Sequence, residues 1–106
     1  MKKEHETEEE QKVGRVKLPE ENQVIGIIEM RLGGNKMQVH CLDGKVRKCR
    51  VPGRLKRRLW LRPNDVVIVE LWELDKSRGD IIFKYKPAQV EWLKEHGYLE
   101  KEKLEF

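Results

Sequence analysis

Cysteine is scarce in this 106-residue chain. Cys41 and Cys49 are the only two, too few for a disulfide scaffold. Neither belongs to a C-x-x-C pair, and His5, His40 and His96 stand far apart. The ligand set at fixed spacing that a zinc site needs is missing, so no metal is expected. Both cysteines read as small, partly buried hydrophobes. No stretch approaches the ~18 consecutive apolar residues of a membrane span. The first twelve residues, MKKEHETEEEQK, hold no apolar segment of the kind a secretory signal carries. The expectation is a reducing, cytoplasmic setting with no membrane partner. No serine or cysteine nucleophile has a base at usable spacing, and the acids crowd the N-terminus rather than a framework that positions them. No catalytic residue, and no enzyme, is expected.

Charge is abundant instead. Charged residues make up 40% of the chain and hydrophobic ones 38%, which leaves enough apolar material for one modest core. The net charge of +4 hides an uneven distribution. Residues 45–62 contain Lys45, Arg47, Lys48, Arg50, Arg54, Lys56, Arg57, Arg58 and Arg62, nine basic residues in eighteen with no acid. Removing these nine from +4 leaves −5 for the rest of the chain. A chain that is acidic elsewhere and basic along one stretch makes a local field, and the usual partner of such a field is a polyanion, most often nucleic acid. Arg54 and Arg58 are spaced i,i+4, where stacked like charges cost about 0.2–0.5 kcal/mol. That cost makes sense where an anion is to be bound.

Periodicity predicts five strands. Residues 23–31 are rich in β-branched side chains around Gly26, a glycine that suits a bend in a small barrel. In 36–42, Met37, Val39 and Cys41 share one face and Gln38 and His40 the other. Asp43-Gly44 signals a hairpin returning through 45–51. A two-residue loop would set Val39 opposite Lys48 and Met37 opposite Arg50, placing two charges on the core face. An odd loop, with Gly44 at positive φ, puts Cys49 and Val51 with Met37 and Val39 instead and is preferred. Arg47 is then the odd member of the apolar face, near a sheet end where it could escape. Leu55 and Leu59 anchor a short helical turn over 54–59. Residues 66–74 read as a strand buried for much of its length, 75–79 as a loop and 80–86 as the fifth strand. A helix follows over 88–96, with Pro87 in its first turn and Gly97 as its stop.

Five strands with a helical turn between the third and fourth match a mainly β, five-stranded Greek-key barrel of the oligonucleotide-binding (OB-fold) type. A sandwich would need about seven strands. The runner-up folds are an SH3-like barrel and an unrelated small β-barrel. The expected organisation is a flexible acidic tail over 1–14, an RNA-binding barrel over 15–86, a helix over 87–98 packed on the outside of the barrel, and a short tail over 99–106.

Four segments carry a resemblance, in order and spacing. They are Cys41-Leu42-Asp43-Gly44, then Val51-Pro52-Gly53-Arg54-Leu55-Lys56-Arg57-Arg58-Leu59-Trp60-Leu61, then Asp65-Val66-Val67-Ile68-Val69, then Ser77-Arg78-Gly79-Asp80-Ile81-Ile82-Phe83-Lys84-Tyr85. Together they resemble the translation initiation factor 1A family of archaea and eukaryotes and, more distantly, bacterial initiation factor 1. The turn Leu32-Gly33-Gly34-Asn35-Lys36-Met37 fits the archaeal branch, and 87–97 resembles a helix that the bacterial factor lacks. Asn64 stands where many members have glycine, and asparagine tolerates positive φ. The eukaryotic factors carry long tails with partner-binding roles; the tails here are short, so those roles are not expected of this chain.

The resemblance implies a monomeric factor without catalysis or cofactor. It implies binding to the A site of the small ribosomal subunit through rRNA contacts, promoting initiation-complex assembly, initiator tRNA binding and subunit dissociation. The initiator tRNA complex and other initiation factors are its implied partners. By matching position, the rRNA-binding residues are Arg54, Lys56, Arg57, Arg58 and Trp60, with Lys48, Arg50 and Arg62 as flankers. Arg15 and Lys17 are further contacts of the N-terminal segment. Trp60 admits two readings, a platform for an unpaired base or a core residue closing the barrel end. The competing function is a general single-strand RNA/DNA chaperone of cold-shock type. That class carries its aromatics on one strand face, whereas those of this chain are scattered.

Overall fold

Valine and isoleucine, whose branched side chains fit a pleated surface, fill the strands that close this fold. A computed structural model describes residues 16–55 and 60–99. The elements are β1 (Gln23–Gly33), β2 (Lys36–Cys41), β3 (Val46–Arg50), a 3-10 turn (Gly53–Leu55), β4 (Val66–Leu71), β5 (Arg78–Lys84) and α1 (Pro87–Glu95). The strands form a closed barrel in the order β1-β2-β3-β5-β4. Every neighbouring pair is antiparallel except β3 and β5, which run parallel. The expected five-stranded barrel with a C-terminal helix is the fold observed. Pro19–Tyr85 make one compact unit, and the described residues 16–18 and 86–99 belong to a second.

The β2–β3 register follows the odd-loop expectation. Met37 pairs with Cys49 and Val39 with Arg47, and the Cys41 N–H donates to the Lys45 carbonyl at 2.8 Å. Three residues therefore span the turn, with Gly44 at φ 93°, a conformation that a side chain disfavours. The expected escape of Arg47 is not what happens. The residue is only 3% exposed. Its guanidinium donates to Asp43 Oδ1 and Oδ2 at 3.0 and 2.9 Å, and its Nε–H to the Lys76 carbonyl at 2.6 Å. Asp43, in the turn four residues back, supplies a carboxylate at the sheet end, so the charge is neutralised in place.

Ile28, Met37, Val39, Cys41, Cys49, Val51, Leu61, Val67, Val69 and Ile81 form the buried core cluster. Ile25, Ile27, Val66 and Ile68, on the opposite parity of β1 and β4, are buried as well, as the unbroken apolar run of β4 predicts. That strand ends at Leu71, three residues before the expected limit, and Leu74 is fully exposed. Asp75 pinches the connection: its Oδ1 accepts from the Ser77 N–H and hydroxyl, and its carbonyl accepts from the Arg78 N–H. The chain re-enters the sheet at Arg78, two residues earlier than expected. A bulge between Ile68 and Val69 in their pairing with β5 shifts the register there, so Phe83 is half-buried while Ile81 and Tyr85 are buried.

In the second unit, Pro87 opens α1, and the Gln89 side chain accepts from the Lys86 N–H at 2.8 Å. Gly97 follows the C-cap His96. Trp92 stacks on His96, ring centroids 4.0 Å apart. Gln89, Trp92 and Leu93 are its buried residues.

Cys41 and Cys49 are both free and both fully buried, more so than expected. Burial pushes the Cys49 thiol up to about 12 and raises Cys41 as well. The thiolate is the reactive form. Ellman's reagent is expected to find no accessible thiol in the native protein at pH 8 and two per chain in denaturant. Rapid native labelling would contradict this core.

Candidate nucleic-acid interface

Alternation along β3 sorts the basic run. Arg47 and Cys49 point inward, while Lys48 and Arg50 face outward and are exposed. The Lys48 side chain has no hydrogen-bond or ion-pair partner among the described residues. Arg50 lies against Asp80, with donor distances of 3.2 and 3.3 Å to its two carboxylate oxygens. Five of the eight expected contact residues thus have a described position, and Arg47, one of the nine basic residues counted above, is withdrawn from the surface.

The chain leaves β3 through buried Val51 and Pro52 into the 3-10 turn, closed by the Leu55 N–H on the Pro52 carbonyl at 2.9 Å. Leu55 packs against the core cluster, as its proposed anchoring role requires. Arg54 lies in this turn. Lys56, Arg57 and Arg58 lie outside the described residues, as does Leu59.

Trp60 is 73% exposed, while the next residue, Leu61, is 3% exposed. The core reading of Trp60 is therefore excluded, and Leu61 closes the barrel instead. Both carbonyls are held: Lys84 Nζ donates to that of Trp60 and Arg31 to that of Leu61, each at 2.8 Å. The backbone is fixed while the indole stands in solvent. Beside it, Arg31, Gly34, Asn35, Met37, Val51, Trp60 and Leu61 line a hollow of about 180 Å³. Arg62 is exposed next to the Asn64 turn, where Asn64 takes φ 76°, in keeping with its replacement of glycine. Lys17 is exposed too, and Arg15 is outside the described residues. Among the described residues, no group of three or more His, Cys, Asp or Glu side chains could hold a metal ion.

One feature has no counterpart in the sequence pattern, which places Trp72 in the fourth strand and Arg78 in the loop that follows it. The Arg50 guanidinium carbon lies 5.3 Å from the centroid of the Trp72 ring and that of Arg78 6.0 Å. The indole N–H donates to Asp80 Oδ1 at 3.1 Å. Only the β3–β5 pairing, invisible in a linear pattern, brings these together.

A closed barrel in this strand order, with cations on its outer strands and an exposed tryptophan after a basic turn, defines the class as an OB-fold barrel. Comparison with known proteins narrows it. The family model described as "Translation initiation factor 1A / IF-1" matches residues 13–105. The chain is 46% identical to Translation initiation factor 1A of Pyrococcus abyssi, over 97% of this chain and 91% of that one. It is 51% identical to Translation initiation factor 1A of Thermococcus kodakarensis, over 78% of this chain and 74% of that one. The bacterial translation initiation factor 1 from a Wolbachia endosymbiont of Brugia malayi, solved in solution, superposes with a TM-score of 0.50 at 24% identity. That match covers 61% of this chain and 78% of the other and bears on the fold alone. The chain belongs to the translation initiation factor 1A family, a non-enzymatic family with a role in translation initiation.

Proposed function

We propose that this protein binds the A site of the small ribosomal subunit as a monomer, through rRNA contacts made by Arg54, Lys56, Arg57, Arg58 and Trp60, flanked by Lys48, Arg50 and Arg62. From there it promotes initiation-complex assembly, initiator tRNA binding and subunit dissociation, working in the cytoplasm with the other initiation factors. The observation that carries this reading is the exposure of Trp60 at the end of an acid-free basic run. A large indole left in water is unusual in a small fold unless a ring is to be laid on it. Arginines on either side clamp phosphates with paired donors while the indole takes an unpaired base. The hollow beside Trp60, floored by Met37, Val51 and Leu61, gives that base an apolar edge to lie against.

Sedimentation with purified ribosomal subunits tests the reading. The protein is expected to pellet with the small subunit and not with the large one. The double variant R57E/R58E is expected to bind about tenfold more weakly, since two phosphate contacts turn repulsive. If about five phosphates are neutralised, log K falls against log[salt] with a slope near −3.5 by the single-strand rule. Equal binding to both subunits, or full binding by the double variant, would overturn the proposal.

A further inference from the structure

Asp43-Gly44 is the one place in the chain where an aspartate precedes a glycine. Such a pair is open to a rearrangement that needs no enzyme, because glycine carries no side chain to shield its nitrogen. The glycine nitrogen attacks the aspartate Cγ, and a new N–C bond closes a five-membered imide. One carboxyl oxygen leaves as water, taking the amide proton and the carboxyl proton. Water then adds back to either imide carbonyl. One opening restores aspartate; the other leaves isoaspartate, with the backbone running through the former side chain. One water is lost and one regained, and nothing is oxidised or reduced.

We propose that Asp43-Gly44 is a latent modification site of this kind, and that Arg47 is the clamp that keeps it shut. Burial does not protect the carboxylate, since the Asp43 side chain is 39% exposed. It is protected by being held. Arg47 donates to Oδ1 and Oδ2 at 3.0 and 2.9 Å, and the Lys45 N–H adds a bond to Oδ1 at 3.2 Å. Paired donors fix the plane of a carboxylate as well as its place, so Cγ is kept from turning onto the Gly44 nitrogen. The same bonds hold the carboxyl below its ordinary range and therefore ionised. The ionised form is the poorer electrophile, because its oxygen must gain protons before it can leave. The Gly44 N–H is engaged as well, donating to the Cys41 carbonyl at 2.9 Å. The clamp is itself fixed: the Arg47 side chain is 2% exposed, and its Nε–H donates to the Lys76 carbonyl at 2.6 Å.

A buried ion pair is a poor source of stability, so the place of Arg47 is better explained by what it prevents. Isoaspartate would add a methylene to the backbone of a three-residue turn whose length sets the β2–β3 register. It would also shorten the arm that carries the carboxylate to Arg47. One slow chemical event would strand the buried guanidinium and loosen the hairpin.

The test is ageing of the folded full chain at neutral pH, followed by tryptic digestion. The peptide over residues 37–45 carries the site. Its isoaspartyl form has the same mass, elutes separately and resists cleavage by endoproteinase Asp-N. The same peptide aged free in solution sets the unclamped rate, and the parent chain should fall far below it. R47M removes the clamp and its buried charge together. It should isomerise about tenfold faster than the parent, since two charge-assisted bonds are lost, while its circular dichroism stays that of a folded barrel. I27V is the control for general loosening. It trims a fully buried β1 side chain at a comparable cost in stability and keeps the clamp, so it should age like the parent. Ageing of the parent at the rate of the free peptide would overturn the proposal, and that comparison decides even if R47M unfolds. A folded R47M that ages no faster than the parent would overturn it too. So would an acceleration in I27V equal to that in R47M, which would make unfolding the gate in place of Arg47.

Discussion

G79A is expected to melt about 15 °C below the parent chain. Gly79 sits where the barrel closes, paired with Cys49 on parallel β3 and with Leu71 on antiparallel β4. A Cβ there would lie 2.5 Å from Val69 Cγ1 and 2.8 Å from the Glu70 carbonyl oxygen. A side-chain methyl can rotate, but a carbonyl within a strand ladder cannot move without breaking its hydrogen bonds. Overpacking a core costs about 1–3 kcal/mol, and the seam leaves no direction for relaxation, so the upper figure applies. At about 4–8 °C per kcal/mol for a domain of this size, the shift follows. G53A is the control, because its Cβ would meet no atom within 4 Å and its φ is not positive. It should melt within a few degrees of the parent. Thermal circular dichroism on both variants decides the matter, and equal melting points would show that the barrel seam yields.

The sequence disclosed the parts of this fold governed by local period and turn chemistry. Alternation at Met37, Val39 and Cys41, and the charge conflict of the alternative register, sufficed to set the β2–β3 hairpin. Asp43-Gly44 and Pro87 marked their turn and helix start. The failures share one cause, which is dependence on partners distant in the chain. Trp72 leaves β4 early because Asp75 closes its own turn, and no parity count contains that bond. Trp60 and Leu61 are adjacent apolar residues whose fates diverge because Lys84 and Arg31 hold their carbonyls from elsewhere in the barrel. The candidate site divides the same way. The composition of 45–62 pointed to a polyanion, but which of its cations reach the surface was settled by tertiary pairing, and Arg47 does not.

That buried arginine carries the second large effect, and its sign is counter-intuitive. Asp43 and Arg47 form one ion pair, yet D43A should cost much more than R47M. Arg47's side chain is 2% exposed, whereas that of Asp43 is 39% exposed. Removing the carboxylate leaves a guanidinium in the core whose remaining partners, the Lys76 carbonyl and the neutral Cys41 thiol, carry no opposite charge, and stranding a buried charge costs about 3–5 kcal/mol. Water reaching the vacated Asp43 position lowers this to about 2 kcal/mol. R47M instead removes the desolvated charge, lets Asp43 turn to water, and sets a flexible apolar chain opposite Val39. Its cost should stay below about 1 kcal/mol. Acidity separates the variants further. Hydrogen bonds from Arg47 hold the Asp43 carboxyl below its ordinary range. A depressed native pKa gives stability that is complete above the unfolded value of about 4 and is lost as pH falls through the native one. The parent should therefore lose its advantage over D43A as the pH falls below the ordinary carboxylate range, and the two urea midpoints should converge as Asp43 becomes protonated. A penalty for R47M that exceeds the penalty for D43A at pH 7 would mean that the pair stabilises by attraction rather than by answering a buried charge.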